Sequence, residues 1–562
     1  MKKRQKPEPS LRKIVTQHLT ATDLIVLGVL FLLLLVHAQK GWITTKDDAF
    51  ITFRYAEHLA QGHGIVWNIG ESPVEGYTNF LFMVLLSVFA LFKADLVVVA
   101  KIINLLSAVA VFFMLIEIFT RIYRNRYLLY FGLFLFVFPF FTSAQIAGGL
   151  ETMFYAMLVT LGALLLLRQW SAYERKRQVW FSLALLTMGL TRPEGVLVAG
   201  VLILLELGLV DRRHRRHLLL TIALWYVAPA AVYMAARRFY FGYWLPNPFY
   251  IKRSDKMLSL VGLLELQHFI LTTKLYIGLL CMPFVTEKAR KGLLVLAAVF
   301  LPSLAVYMFF RPMMNYAFRY YQPYYALMLP VLAAPLALLY RLVDGRLEGR
   351  NLPRAWRNVA EASLLVAAIL FLCPYTGITS DTVRGRQVKK ISNYKEFRYW
   401  RQQGMKLEDC HIYIGKLLAR YPEYRERYIA LGDVGAIPYY SKWKALDMGG
   451  LNDVHMAHFG TSVSQGMEQF ATKFDLDYVF GKDPAVVMVA SNNPVTVDHY
   501  ASRVLVEDPR FKAYERIVAF EYSALIYEFI YLKKDDPSLK ILRDGLVEDA
   551  MSRGARQIDA KD

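Results

Sequence analysis

Eleven apolar runs, of a length suited to crossing about 30 Å of hydrocarbon, constrain this chain more than any other feature. They lie near residues 20–39, 95–119, 127–144, 151–168, 178–191, 194–210, 217–236, 260–283, 290–310, 320–341 and 358–375. The composition agrees, since 56% of the 562 residues are hydrophobic and only 20% are charged. The sequence therefore predicts a polytopic α-helical membrane protein with about eleven transmembrane helices.

A twelfth apolar segment, Phe80–Phe92, is too short for a span, and we expect a juxtamembrane helix there. The loop charges support this choice. Eleven spans place all five strongly basic loops on the side of the basic amino terminus, and Lys and Arg accumulate on the cytoplasmic side. These loops are residues 121–126, 168–177, 211–217, 287–291 and 341–357. The amino terminus is thus predicted to be cytoplasmic, and the loops of mixed acidic, aromatic and proline residues to face outward.

The net charge of +20 does not point to nucleic acid, because the basic residues are concentrated in these loops. Two of the three cysteines, Cys281, Cys373 and Cys410, lie within apolar runs, which argues against a disulfide framework or a thiolate metal cluster. No small-residue cleavage pattern follows apolar residues 24–36, so we expect an uncleaved first helix.

From about residue 376 onward the apolar runs shorten and the charge rises, which predicts a soluble domain on the outer face. Residues 427–440 read as strand, turn and short helix, and the segments beginning at Lys444, Phe474 and Tyr522 read as further strands. We therefore expect an α/β domain over residues 376–562, with a disordered polar tail after about residue 545.

Residues 44–79 place a group of ionisable side chains directly after the first apolar run. The group consists of Asp47, Asp48, Arg54, His63, Glu71 and Glu75. Ionised groups lose hydration near hydrocarbon and are usually kept there for a function. The simpler alternative is that Asp47 and Asp48 are solvated residues where a helix leaves the membrane, but an adjacent acidic pair beside an aromatic-rich loop favours a functional site.

The outward loops supply two kinds of charged side chain. The acidic kind comprises Asp47, Asp48 and Glu75, and the basic kind comprises Arg192, Lys252 and Arg319. A carboxylate can take a proton from an acceptor hydroxyl or hold a divalent cation such as Mg²⁺, Mn²⁺ or Ca²⁺. Arg and Lys can stabilise the charge on a departing phosphate. This division of labour is the one expected for transfer from a lipid phosphate at the membrane boundary.

Four segments resemble the GT-C superfamily of polyprenyl-phosphate-sugar-dependent glycosyltransferases. They are TTKDDAFITFRYAEHLAQGHGIVWNIGESPVEGYTN (44–79), GGLET (148–152), TRPEG (191–195) and GDVGAIPYYSKWKALDMGGLND (432–453). Within the superfamily the chain is most similar to the terminal arabinofuranosyltransferase (AftB-like) group. The resemblance implies a GT-C transmembrane domain over residues 1–375, with a catalytic Asp in the first outer loop (40–94), and a periplasmic domain after it.

Carried over by motif, the resemblance implies that Asp47 is the catalytic base and Asp48 a second carboxylate or metal ligand. Glu75 is implied to contact the acceptor or a metal, and Glu151, Arg192 and Glu194 are implied to line the same cavity. Topology and charge, more than motif, predict that Lys252 and Arg319 contact the donor phosphate. Arg54 and His63 complete the predicted substrate-binding residues. Structural alternatives stay open. Arg192 and Glu194 can form a local cap, Glu151 can stabilise a helix start, Arg319 can anchor at the interface beside tyrosines, and His63 can be structural in its turn.

The implied activity is inverting transfer of a sugar, with arabinofuranose the leading candidate, from a polyprenyl phosphate to a cell-envelope glycan or glycolipid. The implied place is the outer face of a bacterial inner membrane. Two other classes remain as alternatives. A secondary transporter would need ionisable groups near the membrane midplane and related halves, whereas the spans hold few charges and show no repeat. A non-catalytic envelope scaffold would leave the Asp47–Asp48 pair without a chemical role.

Overall fold

The computed structural model describes residues 20–252, 259–309, 315–348, 354–383, 386–462, 473–493, 495–498, 500–523 and 526–552. Six helices in this part of the chain are long and apolar enough to cross a membrane. They are Ala21–Gly41, Leu96–Ile122, Thr152–Ser171, Arg212–Phe241, Glu287–Val306 and Gln322–Asp344. Two bent helix pairs, Arg126–Val137 with Phe140–Ala147 and Leu260–Thr273 with Leu275–Phe284, raise the number to eight if each pair is one span. The helical membrane architecture agrees with the sequence, and the number eleven stays a prediction.

Several helices are shorter or more polar than these. They are Asp47–Ala60, Phe80–Leu91, Arg175–Thr191, Gly195–Leu209, Asn247–Lys252, Arg354–Leu372 and Ser392–Leu407. The span Gln322–Asp344 is formed by the consecutive helices Gln322–Leu332 and Ala334–Glu348. The 12-residue helix Phe80–Leu91 confirms the prediction of a short helix after the first loop. Its position relative to the membrane stays a prediction.

The chain folds into two compact units. The first, here called the helix-rich unit, comprises Met1–Trp42, Ala100–Tyr233 and Ser254–Arg401. The second, here called the sheet unit, comprises Ile43–Val99, Met234–Arg253 and Gln402–Asp562. The first loop after the amino-terminal helix therefore belongs to the same unit as the carboxyl-terminal residues. The sequence placed the boundary between a transmembrane domain and an outer domain at residue 375. That boundary stays a prediction.

Nine strands lie in the described carboxyl-terminal part, and their bounds follow in chain order. They are β1 (Ile378–Val383), β2 (Arg386–Ile391), β3 (Tyr428–Leu431), β4 (Lys444–Asp447), β5 (Thr461–Ser462), β6 (Lys473–Phe474), β7 (Val486–Ser491), β8 (Tyr514–Ser523) and β9 (Ile526–Lys533). Five of them form one mixed sheet in the order β4-β3-β7-β9-β8. β3 is parallel to β4 and β7, whereas β9 is antiparallel to β7 and β8.

Helices of the sheet unit complete the predicted α/β architecture, which is confirmed. They are Tyr413–Leu418, Ala436–Ser441, Val454–Phe459, Leu476–Gly481, Tyr500–Glu507 and Lys540–Ser552. The strands expected at residues 428, 444 and 526 are present.

Two local predictions for the sheet unit were wrong. Most of the segment FDLDYVFG (474–481), expected as a strand, forms the helix Leu476–Gly481, because the Asp475 side chain accepts a hydrogen bond from the Tyr478 amide and caps the first turn. The tail after residue 545, expected to be disordered, is helical to Ser552, because Leu542 and Leu546 are buried. Residues 553–562 lie outside the described part of the chain.

Asn393 stabilises the bend between Arg126–Val137 and Phe140–Ala147 in the helix-rich unit. Pro139 has no amide hydrogen and cannot continue the first helix, so backbone groups at the bend lose their helical partners. The buried Asn393 side chain accepts a hydrogen bond from the Phe140 amide at 2.6 Å and donates one to the Phe138 carbonyl at 2.8 Å. One side chain thus satisfies both backbone groups across the break.

We predict that Asn393→Ala destabilises the protein by about 1–3 kcal/mol, because two buried backbone groups lose their partner. Thermal unfolding of the detergent-solubilised protein measures this as a lower apparent unfolding temperature. Asn492→Ala is the matched control, since Asn492 is an exposed asparagine, and it should unfold at the wild-type temperature. An Asn393→Ala variant as stable as the wild type would contradict the role assigned to Asn393.

Candidate functional site

The acidic pair opens a helix that follows the first apolar helix. Asp47 and Asp48 are the first two residues of Asp47–Ala60, where exposed backbone amides favour negative charge. Both carboxylates are half-buried, whereas the next turn is buried through Phe50 and Phe53. The helix is therefore fixed by its apolar face, with the acidic pair at its accessible end.

Both oxygens of the Asp47 carboxylate accept hydrogen bonds within the sheet unit. The Gly435 amide donates to Oδ2 at 3.0 Å, and the Ala436 amide donates to Oδ1 at 2.9 Å. The His411 Nδ1 atom lies 3.2 Å from Oδ1. Asp47 therefore joins the first loop to residues almost 400 positions later in the chain.

Gly435 is required for this close approach. A Cβ atom at position 435 would overlap the backbone oxygen and the carboxylate of Asp47. The glycine lies between β3 and the helix Ala436–Ser441, so the GDVG sequence serves as a turn that presents two backbone amides to one carboxylate.

Three further groups gather behind Asp47. His411 lies in the π-helical turn Glu408–Ile412, Asp433 follows β3, and Glu528 lies on β9. His411 and Glu528 are almost fully buried, and Asp433 is half-buried. The His411 Nε2 atom lies 3.5 Å from Glu528 Oε1.

The electrostatics of this cluster follow from burial and mutual charge. Burial acts to raise the pKa of Asp47, but the His411 charge and the three hydrogen bonds outweigh it and lower that pKa below its usual value. Burial acts to lower the pKa of His411, but Asp47 outweighs it and raises that pKa. Burial and the Glu528 carboxylate raise the pKa of Asp433 to about 8. Asp47 is thus held ionised, which makes it a weak proton acceptor.

His411, Asp433 and Glu528 form the group of potential metal ligands in the described residues, since their ligand atoms all lie within 4.8 Å of one another. The sequence predicted a divalent cation at Asp47 and Asp48 instead. The donor set of Asp47 fits that role poorly, because its oxygens already accept hydrogen bonds from two amides and the His411 ring.

Arg54 is a structural residue of the loop. Its buried guanidinium donates to the backbone carbonyls of Trp67 at 2.9 Å, Trp443 at 2.9 Å and Pro438, and to the Asn68 side chain at 3.2 Å. These bonds occupy its three nitrogens and tie the loop to the segment before β4. The substrate-binding role predicted for Arg54 stays a prediction, but the geometry supports an architectural one.

Glu75 pairs with Arg237, a residue that sequence reasoning missed. The Arg237 Nε atom donates to Glu75 Oε2, and Arg237 Nη1 donates to the Trp244 carbonyl at 2.9 Å. Both side chains are buried. Arg237 lies in an apolar stretch and gave no signal beyond being a basic residue in it.

In the helix-rich unit, the GGLET and TRPEG motifs are joined by ion pairs, whereas their predicted role in a substrate cavity stays a prediction. Arg192 donates to Glu151 at 2.9 Å and to Glu194 at 2.6 Å, and the Tyr307 hydroxyl donates to Glu194 at 2.7 Å. The Arg192 guanidinium also lies over the Tyr320 ring. The sequence left open a local pair of Arg192 and Glu194 as a helix cap. The structure shows a buried arginine that also pairs with Glu151 from a distant part of the chain.

The remaining predicted residues are placed as follows. Arg319 lies over the Tyr316 and Tyr320 rings at 5.9 and 5.1 Å, a contact that also suits an interfacial anchor. Lys252 ends the helix Asn247–Lys252, and its side chain lies outside the described part of the structure. His63 is exposed in a turn. Their roles toward substrate stay predictions.

His411, Glu528 and Arg237 were not singled out from the sequence, where Asp433 beside glycine suits either a turn or an acceptor contact. The signal available for Asp433 was its place in GDVG, one of the family-like segments. His411 and Glu528 lie in unremarkable sequence. The strand order of the sheet positions Glu528, and the packing of the turn Glu408–Ile412 against the sheet positions His411.

The chain is similar to one family model in sequence and to a solved membrane protein in structure. A family model described as a domain of unknown function (DUF8728) matches residues 395–537. No curated protein sequence matches the chain significantly. The structure is similar to ArnT from Cupriavidus metallidurans bound to undecaprenyl phosphate, with a TM-score of 0.55 and 13% identity over 91% of this chain and 98% of that one.

The apo state of the same ArnT gives a TM-score of 0.53 and 14% identity over 90% of this chain and 97% of that chain. The likeness therefore spans nearly the full length of both proteins. At this identity the likeness shows that this chain and ArnT share a fold.

A buried histidine in the first loop gives a pH test of this architecture. Burial, and second the Arg54 guanidinium, lower the pKa of His58 to about 3, while its Nδ1 atom contacts the Val66 carbonyl at 2.9 Å. Between pH 6.5 and 3 the unfolded chain binds a proton there that the folded chain does not, so stability falls as the pH falls through this window.

We predict that lowering the pH from 7 to 5 removes about 2 kcal/mol of stability through His58, and that His58→Gln loses this part of the pH dependence. Chemical unfolding at both pH values measures it. His63→Gln is the matched control, because His63 is an exposed histidine of the same loop, and it should retain the wild-type dependence. Equal pH dependence in His58→Gln and wild type would refute the assignment.

Proposed function

We propose that this chain is a membrane glycosyltransferase that moves a sugar from a polyprenyl phosphate donor to a cell-envelope glycan or glycolipid. The observation that carries the proposal is the acidic pair Asp47–Asp48, which opens a helix directly after the first apolar helix of a chain with the GT-C fold. The relative with undecaprenyl phosphate in its structure supports a polyprenyl phosphate as the donor lipid.

Asp48 is our candidate for the catalytic base. Asp47 is kept ionised by His411 and two backbone amides, and a carboxylate stabilised in this way accepts a proton poorly. Asp48 lies beside it at the half-buried helix start. We therefore assign Asp47 a positioning role, which reverses the order of the two residues implied by the family resemblance.

The reaction that this pair would serve is a single displacement with inversion. The acceptor hydroxyl oxygen forms a bond to the anomeric carbon of the sugar, the bond from that carbon to the phosphate oxygen breaks, and Asp48 takes the hydroxyl proton. Polyprenyl phosphate leaves with the electron pair of the broken bond. The charge that develops on the phosphate requires a cationic side chain, and Lys252, which belongs to the same unit as Asp48, is our candidate for that role. The roles predicted from the sequence for Arg192 and Arg319 stay predictions.

The proposal also names the transferred sugar and the location of the protein. Arabinofuranose is the leading candidate because the motifs resemble the terminal arabinofuranosyltransferase group. The basic loops support a cytoplasmic amino terminus and an outward-facing acidic pair in a bacterial inner membrane. The proposed acceptor is accordingly a glycan or glycolipid of the cell envelope.

We predict that purified protein in nanodiscs transfers sugar from one member of a panel of decaprenyl- and undecaprenyl-phosphate sugars to an envelope extract. Asp48→Asn should slow transfer by about 10²–10⁴-fold, the usual contribution of a general base. Asp47→Asn should slow transfer less and lower the apparent unfolding temperature more, because it weakens the contacts to Gly435 and Ala436. Labelled product measured by mass spectrometry gives the rates.

Asp535→Asn is the matched control, since Asp535 is an exposed carboxylate in a turn of the sheet unit, and it should transfer at the wild-type rate. Loss of activity in Asp47→Asn with full activity in Asp48→Asn would reverse the proposed roles. If no donor in the panel gives product with folded wild-type protein, the glycosyltransferase proposal fails and the scaffold becomes the better interpretation.

A further inference from the structure

The buried side chains behind Asp47 have the composition of a metal site that the transfer reaction does not use. His411 offers one imidazole nitrogen, and Asp433 and Glu528 offer carboxylate oxygens from two different strand ends of the sheet. Transition-metal dications bind such mixed nitrogen and oxygen sets, whereas Mg²⁺ and Ca²⁺ prefer oxygen ligands alone.

The orientation of His411 is the first geometric argument. Its Nδ1 atom faces Asp47 Oδ1 at 3.2 Å, and its Nε2 atom faces Glu528 at 3.5 Å. A histidine that donates Nδ1–H to a carboxylate keeps the Nε2 lone pair for a metal, and a carboxylate behind a histidine is the usual support of a bound ion.

Glu528 supplies an independent observation. Its side chain is only 4% exposed. The Oε1 atom is buried and has no hydrogen-bond partner within the described residues, yet it points toward the His411 ring. A buried carboxylate oxygen without a donor is costly, and a cation at this position would remove the cost.

The distances leave room for one ion. Around a tetrahedral ion with bonds of about 2.0–2.2 Å, ligand atoms lie about 3.3–3.6 Å apart. The distance between His411 Nε2 and Glu528 Oε1 already has this value, and all three ligand atoms lie within 4.8 Å of one another. Asp433 is half-buried, so its side chain can change position to complete the coordination. An ion can enter the site from the side on which Asp433 lies.

We propose that His411, Asp433 and Glu528 bind one divalent transition-metal ion of the Zn²⁺ type, with Asp47 orienting the His411 ring. The ion joins the turn Glu408–Ile412, the loop after β3 and strand β9, and through Asp47 it fixes the start of the acidic helix. The competing arrangement is a proton on His411, shared between Asp47 and Glu528.

The test is metal binding by the full-length protein in detergent, after chelation and removal of bound metal. Zn²⁺ is titrated in competition with a chromophoric chelator, and Co²⁺ is added separately to record its visible d–d absorption. We expect one equivalent of Zn²⁺ and a tetrahedral Co²⁺ spectrum in the wild type. Glu528→Gln and Asp433→Asn should lose both, and Asp47→Asn should weaken Zn²⁺ binding about 10–100-fold, as removal of a supporting carboxylate does.

His455→Gln is the matched control. His455 Nε2 contacts Asp475 at 2.7 Å, so this pair is another histidine and carboxylate of the sheet unit outside the cluster, and its loss should leave the Zn²⁺ affinity unchanged. The proposal is overturned if the wild type binds no Zn²⁺, or if Glu528→Gln, folded by its apparent unfolding temperature, binds Zn²⁺ as the wild type does. The readout is binding rather than transfer, so it stands or falls separately from the glycosyltransferase proposal.

Discussion

The carboxylate of Asp47 is the contact on which the sheet unit depends. It accepts two backbone amides from the turn after β3 and faces a buried histidine, so one side chain near the amino terminus joins elements that lie almost 400 residues apart. Hydrogen bonds to a charged group are stronger than neutral ones and are costly to leave unmade when buried. Because Asp47 is held by these contacts, we assign the proton transfer of the proposed reaction to its neighbour Asp48.

Long-range hydrogen bonds also hold the rest of the first loop, and here the charged group is the Arg54 guanidinium. Arg54 donates to three backbone carbonyls and one amide side chain, and Trp67 donates through its indole nitrogen to the Ala445 carbonyl at 3.0 Å. A loop of this length would be mobile if it carried only local contacts. Long-range bonds to backbone groups of the carboxyl-terminal residues hold it in one arrangement, which is the preorganisation that a catalytic carboxylate needs.

Sequence reasoning found those parts of the protein that depend on local pattern. Apolar length predicted several of the long helices, and motif likeness singled out Glu151, Arg192 and Glu194, which the structure joins through the Arg192 guanidinium. The sequence-based prediction failed at two places. The segment after Asp475 has a strand-like composition, but the Asp475 side chain caps a helix there. The tail after residue 545 is mostly polar, but buried apolar residues such as Leu546 hold it in a helix. His411 and Glu528 could not be found, because the strand order of a mixed sheet positions Glu528 and long-range packing of the turn Glu408–Ile412 positions His411, and no local pattern specifies either.

The central claim is that Asp47 acts through His411 to position the acidic helix, while Asp48 performs the chemistry. A double-mutant cycle in transfer rate tests this claim most directly, using Asp47→Asn, His411→Gln and the double variant in nanodiscs at saturating donor. If the contact between Asp47 and His411 contributes to this positioning, the loss in the double variant should be smaller than the product of the two single losses, because either single variant already removes that contact. Losses that multiply in the double variant would show that Asp47 contributes independently of His411, and would contradict the account.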